Sequence, residues 1–100
     1  MEIIHDTTRN QFRIEVDGHT AHVAYQLHDG ALDIRHTIVP EEIGGRGIAS
    51  ALVKAAYDYA REKCLKPVAT CSYAVVWLQR HPEYGGELGK DFTDGHSCAL

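Results

Sequence analysis

The chain has 100 residues, of which 44% are hydrophobic and 24% are charged. This length and balance are typical of one small globular domain and exclude a disordered chain. No apolar run approaches the roughly 20 residues that a membrane-spanning helix needs, so we expect no membrane segment. The net charge is -4 at pH 7 and the ten Lys and Arg residues are scattered, which argues against nucleic acid as a partner.

The first residues and the cysteines indicate the compartment. Met1–Asp6 contains no basic segment followed by an apolar one, so we expect no secretion signal and a cytoplasmic protein. The three cysteines, Cys64, Cys71 and Cys98, form no CxxC pair. An odd number without such pairing is typical of reduced thiols rather than of a disulfide framework.

The stretch from Gln11 to Val39 has the two-residue period of half-buried strands and predicts three of them. The positions predicted to face the core are Phe12, Ile14 and Val16, then Ala21, Val23, Tyr25 and Leu27, then Leu32, Ile34, His36 and Ile38. Asp17-Gly18 and Asp29-Gly30 separate the three strands. Because Asp-Gly readily adopts the positive φ angles of tight hairpins, we expect an antiparallel meander. Met1–His5 is a candidate edge strand.

The second half of the chain alternates helices with a short strand. Apolar residues recur at helical spacing from Gly47 to about Lys63, which predicts one amphipathic helix. Lys66–Thr70 is a strand candidate, and Tyr73–Arg80 is a second helix that must end near His81-Pro82. We therefore expect a single domain over residues 1–84, followed by a loop and a loose tail over residues 85–100.

Three glycines, Gly44, Gly45 and Gly47, lie between the third long strand and the long helix. Backbone N–H groups at a helix start favour an anion such as a phosphate, although glycines there also serve a tight turn alone. A Walker A loop is excluded because no Gly-Lys-Ser/Thr follows. A dinucleotide fingerprint is excluded because the third glycine is missing and the preceding strands are antiparallel.

The segment Gly44-Gly45-Arg46-Gly47-Ile48-Ala49 resembles the Gln/Arg-x-x-Gly-x-Gly/Ala pyrophosphate loop of the GCN5-related N-acetyltransferases (GNAT). Three further segments are similar to the small single-domain branch of that superfamily: His36-Thr37-x-Val39-Pro40, Cys71, and Arg80-His81-Pro82-Glu83-Tyr84. The resemblance implies an α/β (α+β) fold, with a mostly antiparallel sheet, a long helix after the loop and a shorter C-terminal helix. It also implies transfer of an acetyl group from acetyl-coenzyme A to an amine.

The resemblance further implies where coenzyme A binds. Its pyrophosphate would contact the backbone amides of about Gly45 to Ala49, and Arg46 could add charge. Its pantetheine arm would pair with the backbone at Ile38 and Val39, in a cleft where their strand separates from the next one. Gly44 departs from the family pattern, which has Gln or Arg there. The predicted cofactor-binding residues are Ile38, Val39, Gly44, Gly45, Arg46, Gly47, Ile48 and Ala49.

Cys71 is the candidate catalytic residue. It lies between a predicted strand and a predicted helix, where unpaired N–H groups favour a thiolate. A buried structural cysteine is the alternative from the sequence alone. The family resemblance places this cysteine beside the acetyl group and implies an acetyl-cysteine intermediate. Cys64 and Cys98 match no family motif, and we expect no role for either.

The seven histidines do not predict a metal site, because His19 and His22 lie three apart on one strand and so point to opposite faces. We therefore expect acetyl-coenzyme A or coenzyme A as co-substrate and no metal. The acceptor would be an amine of a small molecule or a peptide. Two alternatives stay open: direct transfer without Cys71, and a binding module that holds acetyl-coenzyme A with little or no turnover.

Overall fold

The computed structural model describes residues 2–88. The chain forms a mixed α/β fold with one six-stranded sheet in the order β1-β2-β3-β4-β5-β6 and two helices. The strands are β1 (Ile3–Asp6), β2 (Gln11–Val16), β3 (His19–His28), β4 (Ala31–Ile38), β5 (Lys66–Ala69) and β6 (Glu87–Leu88), and the helices are α1 (Ile48–Glu62) and α2 (Ser72–Arg80).

Strands β1 to β4 form the predicted antiparallel meander. Both Asp-Gly turns have positive φ at each residue, 52° and 78° at Asp17-Gly18 and 52° and 72° at Asp29-Gly30. These are the angles that two-residue hairpins require. The first half of the fold therefore follows from local turn chemistry and from alternating hydrophobicity.

Strands β4, β5 and β6 are parallel to one another and are connected through the two helices. Helix α1 packs on β2 to β5, and α2 packs on β4 to β6. The hydroxyl of Tyr57 on α1 donates to the carbonyl of Val68 at 2.8 Å, which ties the helix to β5. Within residues 2–88, neither helix has the length and hydropathy that a membrane crossing requires.

Strand β4 contains a bulge that changes which residues face the core. Tyr25 pairs with Ile34 and Ala24 pairs with His36, so Arg35 is the inserted residue of the bulge in the β3–β4 ladder. The alternation reverses after the bulge: Thr37 is 0% exposed, whereas His36 is exposed and Ile38 is half-buried. The prediction that His36 and Ile38 face the core together with Ile34 is therefore wrong. A strict two-residue period cannot reveal an inserted residue.

The pairing between β4 and β5 stops at Ile34 and Ala69. The backbone N–H groups of Thr70 and Cys71 both donate to the carbonyl of Ile34, at 3.0 and 3.1 Å. Strand β4 then continues to Ile38, while the segment that follows β5 turns away into α2. In the described part of the chain, the last residues of β4 therefore have no strand partner on the β5 side, and a cleft opens there.

A buried polar contact holds this junction together. The Thr70 hydroxyl donates to the carboxylate of Asp33 at 2.9 Å, and the Arg35 guanidinium donates to the same carboxylate at 3.2 Å. Asp33 is 1% exposed and Thr70 is 2% exposed. A buried carboxylate needs such donors because it has lost its contact with water.

The end of the described chain differs from the sequence prediction. Residues 85–88 were expected to be loop, but Glu87–Leu88 forms β6, which pairs with β5 in parallel. A strand of two residues is too short to produce a periodic signal. The remainder of the predicted loop and loose tail, residues 89–100, lies outside the described residues.

We expect Thr70→Val to lower the free energy of unfolding by about 1–3 kcal/mol, because it removes a donor from the buried Asp33 carboxylate while preserving side-chain shape. Urea denaturation measures this value. Thr20→Val, the same change at an exposed position of β3, is the control and should stay within about 0.5 kcal/mol of the wild type. Equal effects of both substitutions would contradict a stabilising role for the Asp33–Thr70 contact.

Candidate functional site

A cavity of about 230 Å³ lies between the glycine-rich loop and the first turn of α2. It is next to the cleft that opens between β4 and β5. The lining residues are Val39, Gly44, Gly45, Gly47, Ile48, Ala49, Ser50 and Tyr73.

The loop carries the chain from β4 to α1 through a short 3₁₀ turn, Glu41–Ile43, whose Ile43 side chain is buried in the core. Gly45 and Gly47 have φ of 78° and 74°, in the left-handed region that L side chains rarely adopt. Gly44 is different, since its φ of -66° suits any residue. A Cβ at Gly44 would lie 3.3 Å from the Glu41 carbonyl oxygen, so a side chain is sterically constrained there.

Gly47 is the N-cap of α1 and offers no side chain to cap it. The N–H of Ala51 donates to the Gly47 carbonyl at 3.0 Å and is the first N–H bonded within the helix. The N–H groups of Ile48, Ala49 and Ser50 therefore have no partner inside α1. Unpaired N–H groups and the helix dipole together favour an anion at this end of the cavity.

Six of the eight predicted cofactor-binding residues line this cavity: Val39, Gly44, Gly45, Gly47, Ile48 and Ala49. Ile38 and Arg46 do not. The β4 bulge turns the Ile38 side chain to the face opposite Val39 and Thr37. The Arg46 guanidinium donates to the Asp17 carboxylate at 2.8 Å, and both side chains are largely exposed.

Two residues that line the cavity, Ser50 and Tyr73, are not among the predicted site residues. Ser50 is the third residue of α1, so the unpaired N–H groups of a helix start could have indicated it. Its hydroxyl accepts a hydrogen bond from the Trp77 indole at 3.1 Å. Tyr73 lies in the first turn of α2, and only the packing of α2 beside α1 brings it to the loop.

Cys71 is the N-cap of α2, as the sequence predicted, and is 0% exposed. Its Sγ lies 3.4 Å from the Thr37 hydroxyl oxygen. Cys71 does not line the cavity, but Thr37 is two residues before Val39, which does. The sulfur is disulfide-bonded in the structure, contrary to the expectation of reduced thiols. Cys64 is exposed at the end of α1 with a free thiol, and Cys98 lies outside the described residues.

The histidines singled out in the sequence are not brought together at the cavity. Burial and the neighbouring His36 lower the pKa of His22 below its usual value. His22 and His36 are on strands β3 and β4, and neither lines the cavity. No group of three or more His, Cys, Asp or Glu side chains in residues 2–88 could hold a metal ion.

The fold and sequence are similar to those of known proteins. The solution NMR structure of a GCN5-like protein from Staphylococcus aureus superposes with a TM-score of 0.68, is 34% identical and covers 95% of each chain. Protein NATD1 of Danio rerio is 38% identical over 89 residues, which are 84% of this chain and 81% of that protein. Protein NATD1 of Homo sapiens is 36% identical over 85 residues, which are 82% of this chain and 75% of that protein.

Residues 11–88 match the GCN5-related N-acetyl-transferase family. This range begins at β2 and ends with β6, so it includes the bulged strand, the glycine-rich loop, both helices and Cys71. The chain belongs to the GCN5-related N-acetyltransferase family.

Proposed function

We propose that this protein transfers an acetyl group from acetyl-coenzyme A to an amine of a small molecule or a peptide. The observation that carries the proposal is the cavity where the unpaired N–H groups of Ile48, Ala49 and Ser50 meet the positive-φ glycines of the loop. The chain has a net charge of -4, so an anionic ligand must be held by such local features rather than by overall attraction.

The pyrophosphate of coenzyme A fits this end of the cavity. Gly45 and Gly47 bring bare backbone close to the ligand, and the α1 N-terminus supplies donors and a favourable dipole. The exposed Arg46–Asp17 ion pair is worth little in water. Arg46 can therefore exchange Asp17 for a phosphate oxygen at small cost.

The pantetheine arm fits the cleft between β4 and β5. Beyond Ile34 the β5 side of strand β4 is open within the described residues, so its backbone groups can pair with the amides of the arm as a further strand would. This placement directs the thioester toward Thr37 and Cys71, at the closed end of the cleft.

Two chemical routes are available from this position. In direct transfer, the neutral amine attacks the thioester carbonyl, loses a proton, and coenzyme A leaves as a thiolate that takes up a proton. In the covalent route, the Cys71 thiolate first displaces coenzyme A to form an acetyl-cysteine thioester, which the amine then cleaves to restore the thiol. Tyr73, which lines the cavity, is the candidate donor of a proton to the departing thiolate.

The two routes make different demands on Cys71. Its N-cap position favours a thiolate, which supports the covalent route. Its complete burial and its disulfide bond favour direct transfer. The covalent route therefore requires a reduced Cys71 and an opening of the Thr37–Cys71 contact.

A binding module is the second candidate, and one observation favours it. The cavity lining contains no Asp, Glu, His or Lys among the described residues. It therefore offers no ordinary general base for an ammonium group. A protein that holds acetyl-coenzyme A without turnover needs no such base.

We expect wild-type protein to bind coenzyme A in a calorimetric titration and Gly47→Glu to bind at least about tenfold more weakly, because a carboxylate would occupy the phosphate position. Gly30→Glu is the matched control. Its φ of 72° and its open surroundings resemble those of Gly47, but it lies in the β3–β4 turn. Absence of binding by the wild type up to millimolar coenzyme A would contradict the proposed site.

For the covalent route we expect chemically reduced protein to gain one hydroxylamine-labile acetyl group, about 42 Da, from acetyl-coenzyme A alone. Intact-protein mass spectrometry measures this gain. Cys71→Ala should not gain it, whereas Cys64→Ala, which changes the exposed thiol, should.

The same variants separate the remaining routes when small amines and peptides are offered. Full amine acetylation by Cys71→Ala would exclude the covalent route and establish direct transfer. Coenzyme A binding without acetylation of any amine by either protein would favour the binding module.

A further inference from the structure

The side chain of His5 is enclosed by aromatic rings where β1 meets α1. His5 and Phe12 pair across β1 and β2, and their rings stack at a centroid distance of 4.0 Å with 7° between their planes. The Tyr59 ring of α1 meets the imidazole in a T-shaped contact at 4.5 Å, and the Tyr25 ring lies at 5.8 Å. We call Phe12, Tyr25 and Tyr59 the aromatic box.

One hydrogen bond fixes the imidazole in this box. His5 Nε2 lies 2.5 Å from the Tyr25 hydroxyl oxygen, and Tyr25 is 4% exposed. Burial raises the pKa of the Tyr25 phenol above its usual value, so the phenol keeps its proton. Within residues 2–88 this hydroxyl has no second hydrogen-bond partner, and it therefore donates to Nε2. The imidazole is then neutral, with its own proton on Nδ1.

Protonation of His5 would break this arrangement. An imidazolium donates from both nitrogens, so Nε2 could no longer accept the Tyr25 proton. A buried hydroxyl that loses its acceptor costs free energy. Burial also lowers the pKa of His5 below its usual value, an effect that the Asp6 carboxylate opposes but does not cancel. The aromatic box therefore favours the neutral ring.

The charged groups around the box leave this preference in place. The Asp6 carboxylate, which would attract an imidazolium, is already bonded to Arg13 at 2.7 Å, and Arg9 lies 3.9 Å from it. Lys63 Nζ lies 5.9 Å from the centre of the Tyr59 ring and adds a positive charge on the α1 side. The titratable and charged groups around His5 are Asp6 on β1, Arg9 in the β1–β2 turn, Arg13 on β2, Tyr25 on β3, and Tyr59 and Lys63 on α1.

We propose that His5 and the aromatic box form a pH-sensitive latch, which holds β1 on the sheet while the imidazole is neutral and releases β1 when the imidazole is protonated. Strand β1 has only four residues and pairs with β2 alone among the described strands. One of the four, Ile4, is 45% exposed. The contacts of His5 are therefore a large part of what holds the strand. Its release would uncover the edge of β2 for pairing with another chain.

The latch is independent of the proposed function, because the box and the glycine-rich loop lie toward opposite ends of α1. Tyr59 is twelve residues after Gly47, or about 18 Å along the helix axis at 1.5 Å per residue. Substitutions at such a distance act independently. Variants of the latch should therefore bind coenzyme A as the wild type does.

The direction of the pH dependence follows from the lowered pKa of His5. When the pH falls below the usual value of 6.5, the released strand takes up a proton more readily than the latched one. The latch should then weaken by up to about tenfold per pH unit until the pH reaches the lowered pKa. Above 6.5 both states are neutral, and the latch is at full strength.

Amide hydrogen exchange measured by NMR from about pH 5 to 8 tests the latch, with rates corrected for the intrinsic pH dependence of exchange. We expect the protection of β1 amides to fall below pH 6.5 while β3 amides stay protected. His5→Gln keeps an acceptor for Tyr25 but does not titrate, so it should remove this fall. His19→Gln, the same change at the start of β3, should retain it.

A second variant tests the hydrogen bond by a readout that strand stability alone would not move. Tyr25→Phe keeps the ring but removes the proton that His5 Nε2 accepts. The midpoint of the His5 ring resonances, which should lie below the usual value in the wild type, should move up toward that value in Tyr25→Phe.

Three results would overturn the proposal, and each has a different cause. Wild-type β1 protection that does not change with pH means that the strand is held without His5. A His5 midpoint above the usual value means that the ring faces stabilise the imidazolium. An unchanged fall of protection in His5→Gln means that another group controls the strand.

Discussion

The candidate site depends on the way in which strand β4 separates from β5. The Ile34 carbonyl accepts the N–H groups of both Thr70 and Cys71, and this double contact ends the parallel pairing. The next residue, Arg35, is the bulge, which bends β4 and brings Thr37 and Val39 to the side of the core and the cavity. Without this separation the two strands would pair over their full length. Their backbone N–H and C=O groups would then bond to each other and would not be available to a ligand.

The loop and the two helices complete the site around this cleft. Ile43 anchors the loop in the core, so the glycines after it remain at the surface with their backbone exposed. Trp77 connects the two helices, because it lies on α2 and its indole donates a hydrogen bond to the Ser50 hydroxyl on α1. The donors at the α1 N-terminus and the wall formed by α2 are therefore fixed relative to each other. A ligand would meet a preorganised surface rather than two independent elements.

Features set by neighbouring residues could be predicted from the sequence. The Asp-Gly turns, the amphipathic α1 and the loop glycines each depend on a few adjacent positions, and all lie where the pattern indicated. The β4 bulge could not be predicted, because residues 31–38 keep an apparent two-residue period and the extra residue is visible only in the pairing with β3. The position of Tyr73 at the cavity could not be predicted for a related reason, because it follows from how α2 packs beside α1. The buried setting of Cys71 likewise depends on contacts between distant segments such as Thr37.

The central claim is that the α1 N-terminus and the open edge of β4 together bind acetyl-coenzyme A. Amide chemical shifts measured by NMR during titration with coenzyme A test it residue by residue. The account predicts the largest changes at Gly45, Gly47, Ile48 and Ala49, with further changes from Thr37 to Val39 and little change in the β1–β2 turn. Changes confined to other surfaces, or no change at millimolar ligand, would contradict it.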